Sequence, residues 1–75
     1  MALIAKIDFG SQGWNTIYYT DGTKYIGHTV DNEIREGLGT LYDSDGNILQ
    51  RGEWLKDEFI LPIETSEFDR ILGSR

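Results

Sequence analysis

Residues 37–54, GLGTLYDSDGNILQRGEW, carry four glycines, three acidic residues and one tryptophan. Three structures compete for such a stretch: a phosphate cradle, a calcium loop and a β-hairpin. A phosphate cradle needs its glycines to lead into a helix N-terminus, often with a lysine. Here the glycines alternate with strand-forming residues and no helical pattern follows. The calcium reading sets Asp43, Asp45 and Asn47 at alternate positions, as an EF-hand loop does. Its sixth position, however, is Ile48 rather than Gly, and its twelfth is Trp54 rather than Glu. A hairpin accounts for the same residues. GTLYDS and NILQRGEWL flank the dipeptide Asp45-Gly46, and a tight type I′ turn favours Asp-Gly because both central residues need positive φ.

The same grammar stands earlier in the chain. WNTIYYT, Asp21-Gly22 and TKYIGHTV make a first hairpin. A shift of 24 residues lays Gly13 on Gly37, Thr16 on Thr40, Ile17 on Leu41, Tyr18 on Tyr42 and Gly22 on Gly46. One extra residue in the second copy then lays Gly27 on Gly52. Internal similarity at a fixed period marks a repeat architecture, whose units bury their faces against neighbours. The polar DNEIREG joins the two hairpins. A two-residue turn pairs Tyr18 with Tyr25 and Ile17 with Ile26 in the first hairpin. In the second it pairs Asp43 with Ile48, Tyr42 with Leu49 and Gly39 with Gly52. Paired glycines leave room for a bulky ring, so Tyr18, Tyr25 and Tyr42 are expected on one face, over the glycines. The competing role for such rings is contact with a partner.

The flanks read differently. Residues 1–12 form an N-terminal strand segment in which Leu3, Ala5, Ile7 and Phe9 fall on one face, opposite Lys6 and Asp8. In EFILPIE, Phe59, Leu61 and Ile63 share a face, and Pro62, lacking an amide donor, makes this an edge strand or arm. TSEFDRILGSR predicts one short helix, capped by Ser66, with Phe68, Ile71 and Leu72 on one face and Gly73 at its stop. So short a helix must dock to persist.

The stretches YIGHTVDNEIREGLGTLYDSDGN and RGEWLKDE resemble MORN repeats, over residues 13–58. The family pattern is Tyr-x-Gly, a polar stretch, Gly-x-Gly, an Asp-Gly turn and then aromatic-x-Gly-x-Trp. Asn32 and Glu58 stand where the family often has Gly, Leu49 or Gln50 where it has Tyr, and one residue is inserted before Gly37. The resemblance implies a single-layer run of hairpins acting as a scaffold or protein-contact surface. Membrane association has been proposed for some members, but this chain has no basic patch to meet anionic lipid.

The whole is expected to be one mainly β domain over its 75 residues: an antiparallel meander of MORN-like hairpins with a C-terminal arm and helix at 59–75. There is no cysteine and only one histidine, so disulfides and thiolate metal sites are excluded. Small domains without such staples lean on idealised packing or on assembly, which makes a homodimer or a bound partner the expectation. No segment approaches the roughly 20 apolar residues of a membrane span. The N-terminal apolar run is too short for a signal peptide, so the expected location is cytoplasmic. Thirteen acids against seven bases give a net charge of −6. Such a surface repels nucleic acid, whose binding needs Lys and Arg to replace counterions. It favours a basic partner, or one that itself binds nucleic acid.

His28 with Asp31 or Glu33 lacks a nucleophile and a pocket to complete a catalytic site. No catalytic residue, metal or cofactor is therefore expected. The function read from the chain is a small acidic protein-interaction module. Its candidate contact residues are Trp14, Tyr18, Tyr25, Tyr42, Trp54, Phe59 and Phe68. The alternative is a free-standing phage-type inhibitor of a bacterial defence or nucleic-acid-binding protein, acting by acidic mimicry. Clustering of Asp21, Asp31, Glu33, Glu36, Asp43 and Asp45 on one face at phosphate-like spacing would favour that reading, and a scattered distribution would count against it.

Overall fold

The computed structural model describes residues 3–73. Met1, Ala2 and the last two residues of the expected helix segment, Ser74 and Arg75, lie outside the described residues. Six strands form one antiparallel meander in sequence order. They are β1 (Ile4–Asp8), β2 (Trp14–Tyr19), β3 (Lys24–Val30), β4 (Ile34–Tyr42), β5 (Ile48–Leu55) and β6 (Glu58–Pro62), followed by helix α1 (Thr65–Gly73). The mainly β class, the hairpin meander and the short C-terminal helix are those expected. DNEIREG is not a long connection: only residues 31–33 turn, and Ile34 already opens β4.

The turn type differs from expectation. At Asp21-Gly22, Gly22 N donates to Tyr19 O at 3.1 Å and Tyr19 N to Thr23 O at 2.9 Å, with Gly22 at φ +92°. At Asp45-Gly46, Gly46 N donates to Asp43 O at 3.1 Å and Asp43 N to Asn47 O at 2.8 Å, with Gly46 at φ +89°. Both are three-residue loops whose last residue is a left-handed glycine. The tight two-residue turn occurs instead at Lys56-Asp57, between paired Leu55 and Glu58, with φ of 50° and 70°.

One extra loop residue slides the first hairpin by one, so Ile17 faces Tyr25 and Tyr18 faces Lys24. A one-residue slip moves a side chain to the other face. Tyr25 therefore lies on the face opposite Tyr18 and Tyr42, correcting the expectation of three tyrosines together. In the second hairpin Tyr42 faces Ile48, not Leu49, and a register shift between Leu41 and Tyr42 restores the expected pairing of Gly39 with Gly52.

Directly opposed side chains share a face, so the row Ile7–Ile17–Tyr25–Leu41 marks one side of the sheet. This core face holds buried Ile17, Tyr25 and Trp54, with Ile7, Tyr19, Leu41 and Phe59 packed around them. Gly27, Gly39 and Gly52 stand in register across three strands and make room for rings. A methyl on Gly39 would collide with the Tyr25 ring, and one on Gly27 with the Gly39 Cα. The Tyr25 and Trp54 rings meet edge to face at 5.3 Å, a geometry worth about 0.5–1.5 kcal/mol beyond burial. The Trp54 indole N–H donates to Gly39 O at 3.1 Å.

Arg35 closes this face. Its guanidinium lies 4.6 Å from the Trp54 ring and 5.5 Å from the Tyr19 ring. Arg35 and Asp57 exchange four hydrogen bonds: Arg35 N and Nε to the Asp57 carboxylate, Arg35 Nη2 to Asp57 O, and Asp57 N to Arg35 O. At the same end Asn15, 3 % exposed, accepts from Gly10 N and donates to Thr29 Oγ1 and Asn32 Oδ1, tying three strand ends together.

The flanks depart from simple alternation. A register shift between Ile4 and Lys6 puts Ile4 opposite Tyr19, while Leu3 and Phe9 are exposed. A second shift near Ile60 sets Phe59 against Trp54 but Leu61 against Glu53, so Phe59 and Leu61 occupy opposite faces. β6 is the edge strand that Pro62 predicts. In α1, Phe68 N donates to Glu64 O at 2.8 Å, so Ser66 lies inside the first turn rather than at the cap.

Candidate contact surface

Helix α1 covers part of the sheet's second side. Phe68 is its buried anchor, 3 % exposed, and the Arg51 guanidinium lies 5.0 Å from its ring. Beneath it Thr40, 3 % exposed, accepts from Arg51 Nε at 2.8 Å. This is the helix face, and the cross-strand row Lys6–Tyr18–Lys24–Tyr42 runs along it. Cation and ring alternate in that row: Lys6 Nζ sits 5.2 Å from the Tyr18 centroid and Lys24 Nζ 5.6 Å from that of Tyr42. The other end of the face holds Trp14, whose ring meets that of His28 edge-on at 4.7 Å. These two, with Leu38, Ser11, Gln12, Ile71 and Leu72, line an open cleft of about 500 Å³.

The seven candidate contact residues therefore divide. Tyr25 and Trp54 are buried in the core face, and half-buried Phe59 packs on Trp54 at 5.1 Å. Phe68 is buried under the helix. Trp14, Tyr18 and Tyr42 are half-buried on the helix face, within reach of a partner. Lys24 and Arg51 were missed by sequence reasoning. Arg51 falls in the repeat but carries no motif, and its approach to Tyr42 depends on the bulge near Leu49.

Polar groups at the turns are spent locally. The Asp43 carboxylate accepts from Asp45 N, Asn47 N and Asn47 Nδ2, and these bonds, that from Asn47 N first, hold it below the usual carboxylate range. Bonds from the Thr23 hydroxyl and amide lower Asp21 likewise. Burial pushes the Tyr25 hydroxyl well above its ordinary value, against the opposing pull of Arg35. That hydroxyl donates to His28 O at 2.7 Å. Among the described residues, no hydrogen bond joins His28 to Asp31 or Glu33, no cluster of three His, Cys, Asp or Glu is placed to hold a metal, and no helix is long and apolar enough to cross a membrane.

The six carboxylates singled out for mimicry do not share one face. Asp21, Asp43 and Asp45 sit in the β2–β3 and β4–β5 turns, whereas Asp31 and Glu33 sit in the β3–β4 turn at the opposite end, with Glu36 close by on β4. No family model, curated protein or solved structure matches this chain.

Proposed function

We propose that the chain is a non-catalytic protein-interaction module that meets its partner on the helix face of a MORN-like sheet. The observation that carries this reading is the division of the candidate aromatics: Tyr25 and Trp54 are buried on one face, while Trp14, Tyr18 and Tyr42 stay half-open on the other. Aromatic anchors of this kind dominate protein interfaces. Contact by strand addition is disfavoured. Both edge strands are five residues long, each carries a register shift, and β6 carries Pro62, all devices that blunt sheet edges. The net charge of −6 steers basic partners.

The split of the carboxylates between two ends weighs against nucleic-acid mimicry, so the interaction module is the preferred reading. Affinity capture with the wild-type domain and with Trp14→Ser and Tyr18→Ser tests it. A protein held by the wild type and released by either variant is the expected result. A second copy of this chain would instead appear as concentration-dependent sedimentation that the same variants weaken. Failure to capture any protein, together with a monomer at every concentration, would end the proposal.

A further inference from the structure

Two cations converge on Tyr42. Lys24 lies directly across the β3–β4 pair, with its Nζ over the ring. Arg51 arrives from β5, its Nη2 donating to Tyr42 Oη at 3.2 Å. The guanidinium is held in place on its other sides by Thr40 Oγ1 at 2.8 Å, Thr65 Oγ1 at 3.4 Å and the Phe68 ring. A fork fixed in this way loses little entropy on meeting an anion. Lys6, Arg35 and Arg70 each have a carboxylate partner. Among the described residues Lys24, Arg51 and Lys56 have none within 4.0 Å, and of these only Lys24 and Arg51 approach Tyr42, in a chain with 13 acids and 7 bases. The Tyr42 hydroxyl accepts from Arg51 and keeps its own proton to donate.

We propose that Lys24, Arg51 and the Tyr42 hydroxyl bind one oxyanion, a phosphorylated or carboxylate side chain set in an otherwise basic peptide. The inference rests on the protein-interaction reading and names the chemistry of the partner segment. The surroundings select a single anion rather than a polyanion. Asp21 stands three residues before Lys24, Asp43 directly follows Tyr42 and Asp45 lies three residues after it, so carboxylates neighbour both residues along the chain. They repel the next phosphate of a nucleic acid and attract Lys or Arg flanking the bound anion. Charge-assisted bonds to a phosphate or carboxylate are roughly twice as strong as neutral ones.

The test uses three Lys/Arg-rich nonapeptides, identical except for a central phosphoserine, glutamate or serine, titrated by fluorescence anisotropy at about 0.1 M salt, where screening spares close contacts. The phosphoserine or glutamate peptide is expected to bind at least tenfold more tightly than the serine peptide, and whichever binds better identifies the source of the oxyanion. Lys24→Gln should erase that advantage without lowering Tm. Because Arg51 also anchors α1, Arg51→Lys serves as the second variant; it keeps the charge, loses the fork and should reduce the advantage. Equal affinity of the three peptides, including no binding by any, overturns the proposal, as does an advantage that survives Lys24→Gln. An octathymidylate that binds more tightly than every peptide, and depends on Lys24, overturns it in favour of nucleic acid. A captured partner that is lost with Tyr18→Ser but indifferent to Lys24→Gln leaves the interaction reading standing and removes only this one.

Discussion

Replacing Gly39 by alanine tests the packing of ring over glycine. A methyl at this position would overlap the Oη, Cζ and Cε1 atoms of Tyr25. That ring is fully buried, meets Trp54 at 5.3 Å and is fastened by its hydroxyl to His28 O at 2.7 Å, so it has nowhere to retreat. Gly39 is not in the left-handed region, so its backbone would accept alanine and the overlap alone decides. Overpacking costs about 1–3 kcal/mol, and a displaced hydroxyl forfeits about 1 kcal/mol more. The expected loss is about 2–4 kcal/mol. A domain of 75 residues holds about 4–11 kcal/mol in all, at roughly 0.05–0.15 per residue. Urea unfolding followed by tryptophan fluorescence reads the change as a lower midpoint at unchanged slope. Gly46→Ala is the contrast: nothing lies within 4 Å of its added methyl, but its φ of +89° costs about 1–2 kcal/mol through the backbone alone. Combining Gly39→Ala with Tyr25→Leu should cost clearly less than the two single changes together. A loss below about 0.5 kcal/mol in Gly39→Ala, or strict additivity with Tyr25→Leu, would refute the packing argument.

Three further outcomes follow from particular contacts. Asp57→Ala removes two bonds from Arg35, whose side chain is 19 % exposed; with Asp57 itself half open to solvent, the screened loss is about 1–2 kcal/mol by thermal melting, and Asp57→Asn, which keeps an acceptor and tolerates left-handed backbone, should lose less. Lys56→Asn relieves a non-glycine residue at φ 50° in a type I′ turn and should stabilise by about 0.5 kcal/mol in urea; no gain would mean that the turn is not strained. The lowered Asp43 pKa contributes stability above the usual carboxylate range, lost as pH falls from about 4. The raised Tyr25 pKa contributes stability below the ordinary tyrosine value of about 10, lost as pH rises through it. Stability–pH curves should therefore lose part of their acid slope in Asp43→Asn and part of their alkaline slope in Tyr25→Phe.

The positions of the hairpins were legible because Asp-Gly and its flanking strand residues recur at nearly one period. The loop type was not. Asp-Gly serves both the two-residue turn and the three-residue loop ending in a left-handed glycine, and that one-residue difference moved Tyr25 to the opposite face. Gly39 still met Gly52 because a bulge near Leu49 cancelled the shift, and bulges leave little trace in the hydrophobic alternation. The Ser66 cap failed because a carbonyl at Glu64 already starts the helical bonding. The rings of the candidate contact surface were visible as residue types, whereas the separation of buried Tyr25, Trp54 and Phe68 from half-buried Trp14, Tyr18 and Tyr42 followed from register and helix docking.

The glycine row has a consequence for how the molecule comes apart. Tyr25 belongs to the first hairpin, yet it rests on Gly39 and Trp54 of the second. Trp54 in turn donates its indole proton to Gly39 O, inside that second hairpin. Neither copy of the repeat owns a complete core. The two halves of the duplicated sequence should melt as one unit, with amides of β3 and β5 exchanging at a common free energy. Either copy expressed alone should remain a random chain.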